Sequence, residues 1–220
     1  MFINPKTNPV DRTALSVAFT VGLYGAAFGA AGVTAGFSIF QTCLLSLLLF
    51  SGASQFAVVG IMGAGGSAIS AIATATLLGF RNALYGIQMA PILKVKGLKR
   101  ILSAQITIDE STAVATLQEN DSDRRRGFYI TGIGVYVFWN LFTYLGALGA
   151  SAIGDPAAWG LDAAVPAAFC GLVWPRIKEK REFLITAAAI IMALLLTPIA
   201  PAGVPIITTV LLAVIFGWKK

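Results

Sequence analysis

Long apolar runs, almost free of charged residues, constrain what this chain can fold into more than any other feature. A helix of about 20 apolar residues crosses the roughly 30 Å hydrocarbon core of a membrane. Runs of this kind, some of them shorter, occupy residues 13–31, 70–93, 128–151, 162–174, 183–199 and 204–218. They are continuous and rich in Ala, Leu, Ile and Gly, whereas the strands of membrane β-barrels alternate apolar and polar residues. We therefore predict an all-α, polytopic transmembrane helical protein.

Composition and the placement of charges support a membrane location. Only 12% of the 220 residues are charged, about half the share in soluble domains, so lipid rather than water must cover most of the surface. Basic clusters border the apolar runs, at Lys6 and Arg12, residues 94–100, residues 124–126, residues 176–181, and Lys219 with Lys220. Such clusters mark the cytoplasmic side, so we expect both termini there. Aromatic residues for base stacking are not interleaved with them, which argues against nucleic acid despite the net charge of +6.

Two segments do not have the pattern of simple membrane spans. The region 36–63 is interrupted at residues 51–55, and we predict a broken, partly re-entrant pair of helices there. Residues 101–118 lie between two basic clusters and carry acids at their centre. We predict a re-entrant half-helix for them, with an interfacial helix as the alternative. The expected total is about six to seven membrane segments, including the broken or re-entrant helices.

The whole chain, residues 1–220, is predicted to form a single integral membrane transporter domain. Its halves cover about residues 13–100 and 101–220. The first apolar run follows two basic residues, as in a signal peptide. We interpret it as an uncleaved first helix, because it is long enough to span and a second apolar run follows almost at once.

Four charged residues lie where a bilayer makes charge costly: Arg81, Asp109, Glu110 and Asp162. A charge near the bilayer centre costs about 2.5–3.5 kcal/mol or more unless it has a partner or water. Arg81 either forms a structural ion pair with Asp109 or Glu110, or these groups line a polar cavity that serves as a route. Asp162, followed by Pro166, is interpreted as a helix N-cap, with a gate or pathway role as the alternative.

The interruption at residues 51–55 is the second candidate site. Small and polar residues at mid-span either allow close helix packing or unwind a helix, so that an amino end faces a substrate carboxylate. The sequence leaves both interpretations open. An amino acid needs such an anion site, an acid for its ammonium group and an apolar pocket. The expected substrate-binding residues are Ser51, Gly52, Ser54, Gln55, Asp109 and Glu110.

Glycines at spacings of three and four mark the end of the first apolar run. They are Gly25, Gly29, Gly32 and Gly36. A small-residue face of this kind predicts close packing against another helix.

Several chemistries are disfavoured by what the sequence lacks. It has no histidine, and its two cysteines, Cys43 and Cys170, lie in apolar stretches, so we expect no disulfide framework, no metal site and no cofactor. Ser54 and Asp109 are present, but no evident base would activate a serine, so we do not expect an enzyme. There is no Gly-Lys-Ser/Thr nucleotide loop, and an ATP-driven pump would need another chain.

The same polar residues carry a resemblance to a known family. The matching elements are Phe50 to Phe56, Arg81-Asn82 with Leu84-Tyr85-Gly86, Asp109-Glu110-Ser111, and Asp162 with Val165-Pro166-Ala167-Ala168-Phe169. In this order they resemble the AzlC-type large subunit of branched-chain amino acid exporters. The match runs from about residue 13 to residue 220.

The resemblance implies a multi-pass inner-membrane protein that exports valine, leucine and isoleucine, with methionine as a further candidate, driven by the proton gradient. It also implies a short AzlD-type membrane subunit as partner, beside the amino-acid substrate and membrane lipid. The expected coupling or gating residues are Arg81, Asn82, Asp109, Glu110 and Asp162. Family members often have His where this chain has Asn82, so an acid such as Asp109 or Glu110 would have to carry protons here. The alternative function is a channel or scaffold subunit for another small solute, with the polar centre as a structural lock.

Overall fold

Helices form the framework of the protein. The computed structural model describes residues 8–153, 167, 170, 171, 173, 174 and 177–217, and this part contains helices and no strand. The helices are α1 (Pro9–Thr34), α2 (Ile39–Leu48), α3 (Gly52–Gly63), α4 (Ala68–Leu93), α5 (Leu98–Gln105), α6 (Asp109–Thr116), α7 (Asp121–Ala152), α8 (Lys180–Leu196) and α9 (Val204–Gly217). The all-α prediction is confirmed for the described residues.

The parallel pair of α1 and α7 lies at the centre of the fold. Near the start of both helices, Asp11 accepts a hydrogen bond from Arg126, with 2.7 Å between Oδ2 and the guanidinium nitrogen. Further along, Ala18 faces Gly134 and Ala26 faces Gly146, so the two helices run in the same direction. We call the end at the Asp11–Arg126 pair the basal end and the opposite end the apical end. Both helices are long and apolar enough to cross a membrane.

Glycines on α1 bring the backbones close together, as the sequence predicted. A Cβ on Gly25 or Gly29 would collide with the backbone of α7, and one on Gly32 would collide with Thr42 of α2. Gly36 differs, because it lies in open space after α1 with a φ of 90°. It therefore serves the turn into α2 rather than the packing face.

Helix α4 runs antiparallel to the central pair. It begins at the apical end, since Gly63, just before it, contacts Ala35 after α1. It ends at the basal end, where the carbonyl oxygen of Ile92 accepts a 2.8 Å hydrogen bond from Nε of Arg125. Lys94 follows in the left-handed conformation that ends the helix.

The predicted interruption within residues 36–63 is present as a hairpin of two short helices. Helix α2 starts at the apical end and descends until the Leu47 carbonyl accepts a 3.2 Å hydrogen bond from the Tyr136 hydroxyl, halfway along α7. Residues 49–51 reverse the chain, and α3 returns to the apical end. The sequence predicted the interruption at residues 51–55. In the structure the break comes slightly earlier, because Gly52 to Gln55 already form the first turn of α3.

A second hairpin enters from the basal end. Helix α5 rises past Tyr129, whose hydroxyl lies 3.0 Å from that of Ser103. Residues 106–108 form its tip, and α6 returns toward Gly127 at the start of α7. Residues 101–118 are therefore two helices rather than one. The tips of both hairpins meet, because Nε2 of Gln105 donates to the Leu47 carbonyl at 3.0 Å.

Helix α7 starts earlier than the apolar pattern indicates. In the sequence, the apolar run begins at residue 128, after the arginines at residues 124–126. Asn120 caps the helix by accepting the N–H of Asp123 at 2.9 Å, and acids in the first turn favour a helix amino end. The arginines are thus part of the helix.

The last two described helices form an antiparallel pair beside α4. Arg181 near the start of α8 donates to the carbonyl of Phe216 near the end of α9. The turn between them contacts the start of α4, where the Ser70 hydroxyl donates to the Ala202 carbonyl at 2.7 Å. Large apolar side chains cover the outer surface, among them Ile69 and Phe40, which are 81% and 73% exposed. Such a surface is suited to lipid.

Candidate functional site

The amino end of α3 forms one side of the site. Its N-cap, Ser51, has an extended backbone and makes no capping hydrogen bond through its side chain, and the first turn contains no acid. The first N–H groups of a helix have no partner within the helix and carry partial positive charge. This helix end is therefore an electropositive surface that nothing on the helix itself neutralises.

The amino end of α6 forms the opposite side and has the contrary charge. Asp109 and Glu110 occupy its first turn. Ser111 stabilises the tip before them, since its Oγ accepts the N–H of Ile108 at 3.0 Å and donates to the Ile106 carbonyl at 2.8 Å. Acids at a helix amino end offset its partial positive charge. The two hairpins thus present an electropositive and an acidic helix end.

Arg81 of α4 brings a cation to the acidic side. One terminal nitrogen of its guanidinium lies 2.8 Å from Oδ2 of Asp109. The pair is partly buried, with 32% of the arginine side chain and 20% of the aspartate side chain exposed. Nε of Arg81 is buried and has no acceptor among the described residues. The predicted ion pair is present, and Nε of its cation is still available to a ligand.

A cavity of about 300 Å³ lies between the two hairpin tips. That volume is at the lower end of the range for small-molecule sites. Polar lining comes from Ser51, Arg81, Asp109 and Glu110, and the wall is otherwise mainly apolar. The remaining lining residues are Val21, Tyr24, Phe50, Gly52, Ala53, Phe56, Leu78, Ile108, Val135, Trp139 and Val173. Five of the residues singled out in the sequence therefore meet at one cavity.

Trp139 of α7 is a lining residue that the sequence did not indicate. Its indole packs against Phe28 and Phe56, with ring centroids 6.3 and 6.4 Å away. It also covers Gly52, where an added Cβ would lie 3.1 Å from Cη2 of the indole. Only the parallel packing of α1 and α7 places it there. A tryptophan within an apolar run carries no signal of that arrangement.

Three predicted site residues lie beside the cavity rather than on its wall. Ser54 is fully buried, and its hydroxyl lies 2.9 Å from the Ala75 carbonyl, which links α3 to α4. Gln55 is also fully buried and donates to the Ser46 carbonyl of α2 at 3.3 Å. Asn82 has a buried Oδ1 without a partner in the described part of the chain. Ser54 and Gln55 thus position the amino end of α3, and Asp162 lies outside the described residues.

No metal centre is evident in residues 8–153 and the other described positions. No group of three or more His, Cys, Asp or Glu side chains there could hold a metal ion. Arg81 already occupies one oxygen of Asp109. The arrangement is suited instead to a ligand that carries both a negative and a positive group.

Comparison with known proteins places the chain among membrane proteins. Residues 16–153 match the family described as AzlC protein. An uncharacterised membrane protein of Archaeoglobus fulgidus is 30% identical over 199 residues, which cover 89% of this chain and 84% of that protein. The inner membrane protein YgaZ of Escherichia coli K12 is 28% identical over 194 residues, 83% of this chain and 75% of that protein. No solved structure matches significantly. The chain therefore belongs to the AzlC family of membrane proteins.

Proposed function

We propose that this chain is the large subunit of a secondary transporter that exports branched-chain amino acids, with methionine as a further substrate. One observation carries the proposal. The cavity between the hairpin tips joins an electropositive helix end, at Ser51 and Gly52, to a cluster of Arg81, Asp109 and Glu110. Helix ends at the centre of a membrane protein are a recurrent way for secondary transporters to hold substrate.

The cavity complements each part of a small aliphatic amino acid. The α-carboxylate is held by the N–H groups at the start of α3, and the ammonium group by the acids at the start of α6. Val21, Leu78 and Val135 line the apolar wall that receives the side chain. A volume of about 300 Å³ accommodates a ligand of this size. Charge alone selects a zwitterion, and the apolar wall selects an aliphatic side chain.

We further propose that the protein is a multi-pass inner-membrane protein in which the two hairpins are re-entrant from opposite faces. The basal end carries the basic residues around Lys94 and Arg124, which the positive-inside rule assigns to the cytoplasm. In this arrangement both termini are cytoplasmic, and about six to seven membrane segments result. The tips meet at mid-depth, so the irregular backbone at residues 49–51 and 106–108 borders a cavity rather than lipid.

A short AzlD-type membrane subunit is proposed as the partner, and the proton gradient as the source of energy. With Asn82 beside Arg81, a cavity acid is the proton carrier. Asp109 is already in contact with Arg81 at 2.8 Å. Glu110, the second acid on the wall, is therefore the proposed carrier.

Export from cells tests this proposal. Cells that express the chain with the short subunit are loaded with dipeptides that release leucine, isoleucine, valine or methionine, and the intracellular amino acids are followed over time. We expect lower accumulation than in cells without the chain, and loss of that effect in Glu110→Gln. Glu119→Gln, an exposed acid outside the cavity, is the matched control and should export normally. Equal accumulation with and without a correctly assembled complex would rule out these substrates.

A second candidate function is a channel or scaffold subunit in which the polar centre is only a lock. The 2.8 Å pair between Arg81 and Asp109 favours it, because such a pair would hold α4 to α6. The double variant Arg81→Gln/Asp109→Asn separates the two candidates. A lock predicts normal flux per assembled complex once both charges are gone. The transporter predicts that flux stays low even at normal abundance.

A further inference from the structure

The indole N–H of Trp139 is a buried hydrogen-bond donor without an acceptor in the described part of the chain. The side chain is only 6% exposed, so bulk water does not satisfy it. Buried donors in folded proteins nearly always have a partner, and each exception calls for an explanation. Trp139 also lines the cavity between the hairpin tips. A ligand in that cavity is a candidate for the missing acceptor.

The position of the indole relative to α3 indicates the kind of ligand. Its six-membered ring lies over Gly52, the first residue of α3. The N–H groups of this first turn have no capping side chain. Nε of Arg81, on the same cavity wall, is a further buried donor without an acceptor among the described residues. Two buried side-chain donors without an acceptor in this part of the chain and an uncapped helix amino end thus belong to residues that line one cavity.

We infer that Trp139, together with the amino end of α3, forms the subsite for the ligand's carboxylate, with the indole N–H as a donor to one oxygen. A carboxylate offers about four acceptor positions and therefore suits a donor-rich pocket. Charge-assisted hydrogen bonds in a water-poor site are roughly twice as strong as neutral ones. This inference rests on the proposed function for the identity of the ligand as an amino acid. The carboxylate subsite itself does not depend on the ammonium group.

The aromatic cluster explains why the donor has a fixed position. Phe28 and Phe56 pack against the indole, and they meet each other edge to face at 5.6 Å between centroids. Phe28 and Phe56 are 0% and 1% exposed, so the protein encloses both rings. A donor held this way loses little freedom when the ligand binds. Trp139→Phe preserves an aromatic ring in the cluster and removes only the donor and part of the ring.

Three ligands separate the carboxylate from the rest of an amino acid. Leucine carries both charged groups, 4-methylpentanoate carries only the carboxylate, and leucinol carries only the ammonium group. Equilibrium binding of each is measured on the purified full chain, as wild type, Trp139→Phe and the matched control Trp174→Phe, whose ring is 77% exposed. We expect Trp139→Phe to weaken leucine and 4-methylpentanoate by about tenfold to a hundredfold. Leucinol should change by less than about twofold.

Any other binding pattern of the three ligands would contradict either the carboxylate subsite or the amino-acid proposal. An equal loss for all three ligands would assign Trp139 to packing alone, and no loss for either carboxylate would mean that trapped water satisfies the indole. If 4-methylpentanoate binds and leucine does not, the amino-acid proposal fails while the subsite stands. If neither carboxylate binds the wild type, both fail.

If Trp139→Phe does not fold, the carboxylate subsite can still be tested on the wild-type chain. In NMR spectra of the wild type, a single indole N–H proton resonance should move downfield with either carboxylate and stay in place with leucinol. No movement of any indole N–H resonance at saturating carboxylate would overturn the inference.

Discussion

The close contact between α1 and α7 predicts that a methyl group added at the contact destabilises the protein. Two glycine-to-alanine variants of α7 test this prediction. In Gly146→Ala, the new Cβ would lie 2.7 Å from both the carbonyl carbon and Cα of Ala26, with the carbonyl oxygen closer still. Gly149 is one turn further along the same helix, and a Cβ there has no atom within 4 Å. Gly149→Ala is therefore a matched control with the same chemistry and no collision.

The magnitudes follow from these distances. Carbon atoms prefer a separation of about 3.5–4.0 Å, so Gly146→Ala must push the helices apart locally by about 1 Å. Overpacking of this kind costs about 1–3 kcal/mol. Gly149→Ala should gain about 0.5–1 kcal/mol, because Ala loses less backbone entropy than Gly in a helix. The two variants should thus differ by about 1.5–4 kcal/mol.

Thermal unfolding of the purified chain in one detergent measures this difference. For a chain of this length it corresponds to roughly 3–16 °C between the two melting midpoints, with Gly146→Ala below the wild type and Gly149→Ala at or above it. Equal midpoints for the two variants would refute the parallel glycine contact. The same result would remove the basis for placing Trp139 against α3.

Three further predictions concern the hairpin tips. Arg81→Gln removes the cation that contacts Asp109. Because the pair is only partly buried, we expect the unfolding free energy to fall by about 1–3 kcal/mol. Adding Asp109→Asn to this variant should recover most of that loss, as measured by chemical denaturation. Gly52→Ala places a Cβ 3.1 Å from the indole on the cavity wall and should weaken leucine binding about tenfold. The control Gly86→Ala, where the new Cβ has open space around it, should bind leucine normally. Gln105→Ala removes the amide donor to the carboxyl end of α2 and should destabilise the contact between the two hairpin tips by about 1 kcal/mol. Hydrogen exchange at both tips should then be faster. Unchanged exchange would show that the tips do not depend on each other.

The sequence predicted the helical architecture and most of the charged residues of the site. Continuous apolar runs require lipid or a large core around them, so the helix class followed from hydropathy alone. Arg81 was recognisable because a charge inside an apolar run needs a partner, and Asp109 was one of two candidates for it. The 2.8 Å contact between them confirms that pairing.

Helix ends and packing partners could not be predicted in the same way. Helix α7 begins at Asp121, before the apolar run that starts at residue 128, because its capping asparagine and first-turn acids favour a helix amino end there. Ser54 and Gln55 resemble substrate ligands in the sequence, yet α3 turns both into buried links to its neighbours. Trp139 was missed because its role depends on contacts between residues far apart in the chain.

The central claim is that substrate occupies the cavity between the two hairpin tips. Ala53 lines that cavity and is partly exposed, and a thiol at a helix amino end is unusually reactive. Ala53→Cys, in a chain with Cys43→Ser and Cys170→Ser, is therefore labelled with a maleimide at increasing leucine concentrations, with Ser151→Cys as an exposed control.

We predict that leucine slows labelling of Ala53→Cys, with the same half-saturating concentration as export, and leaves labelling of Ser151→Cys unchanged. Unchanged labelling of Ala53→Cys at leucine concentrations that saturate export would contradict the account, because transport would then proceed through another part of the protein.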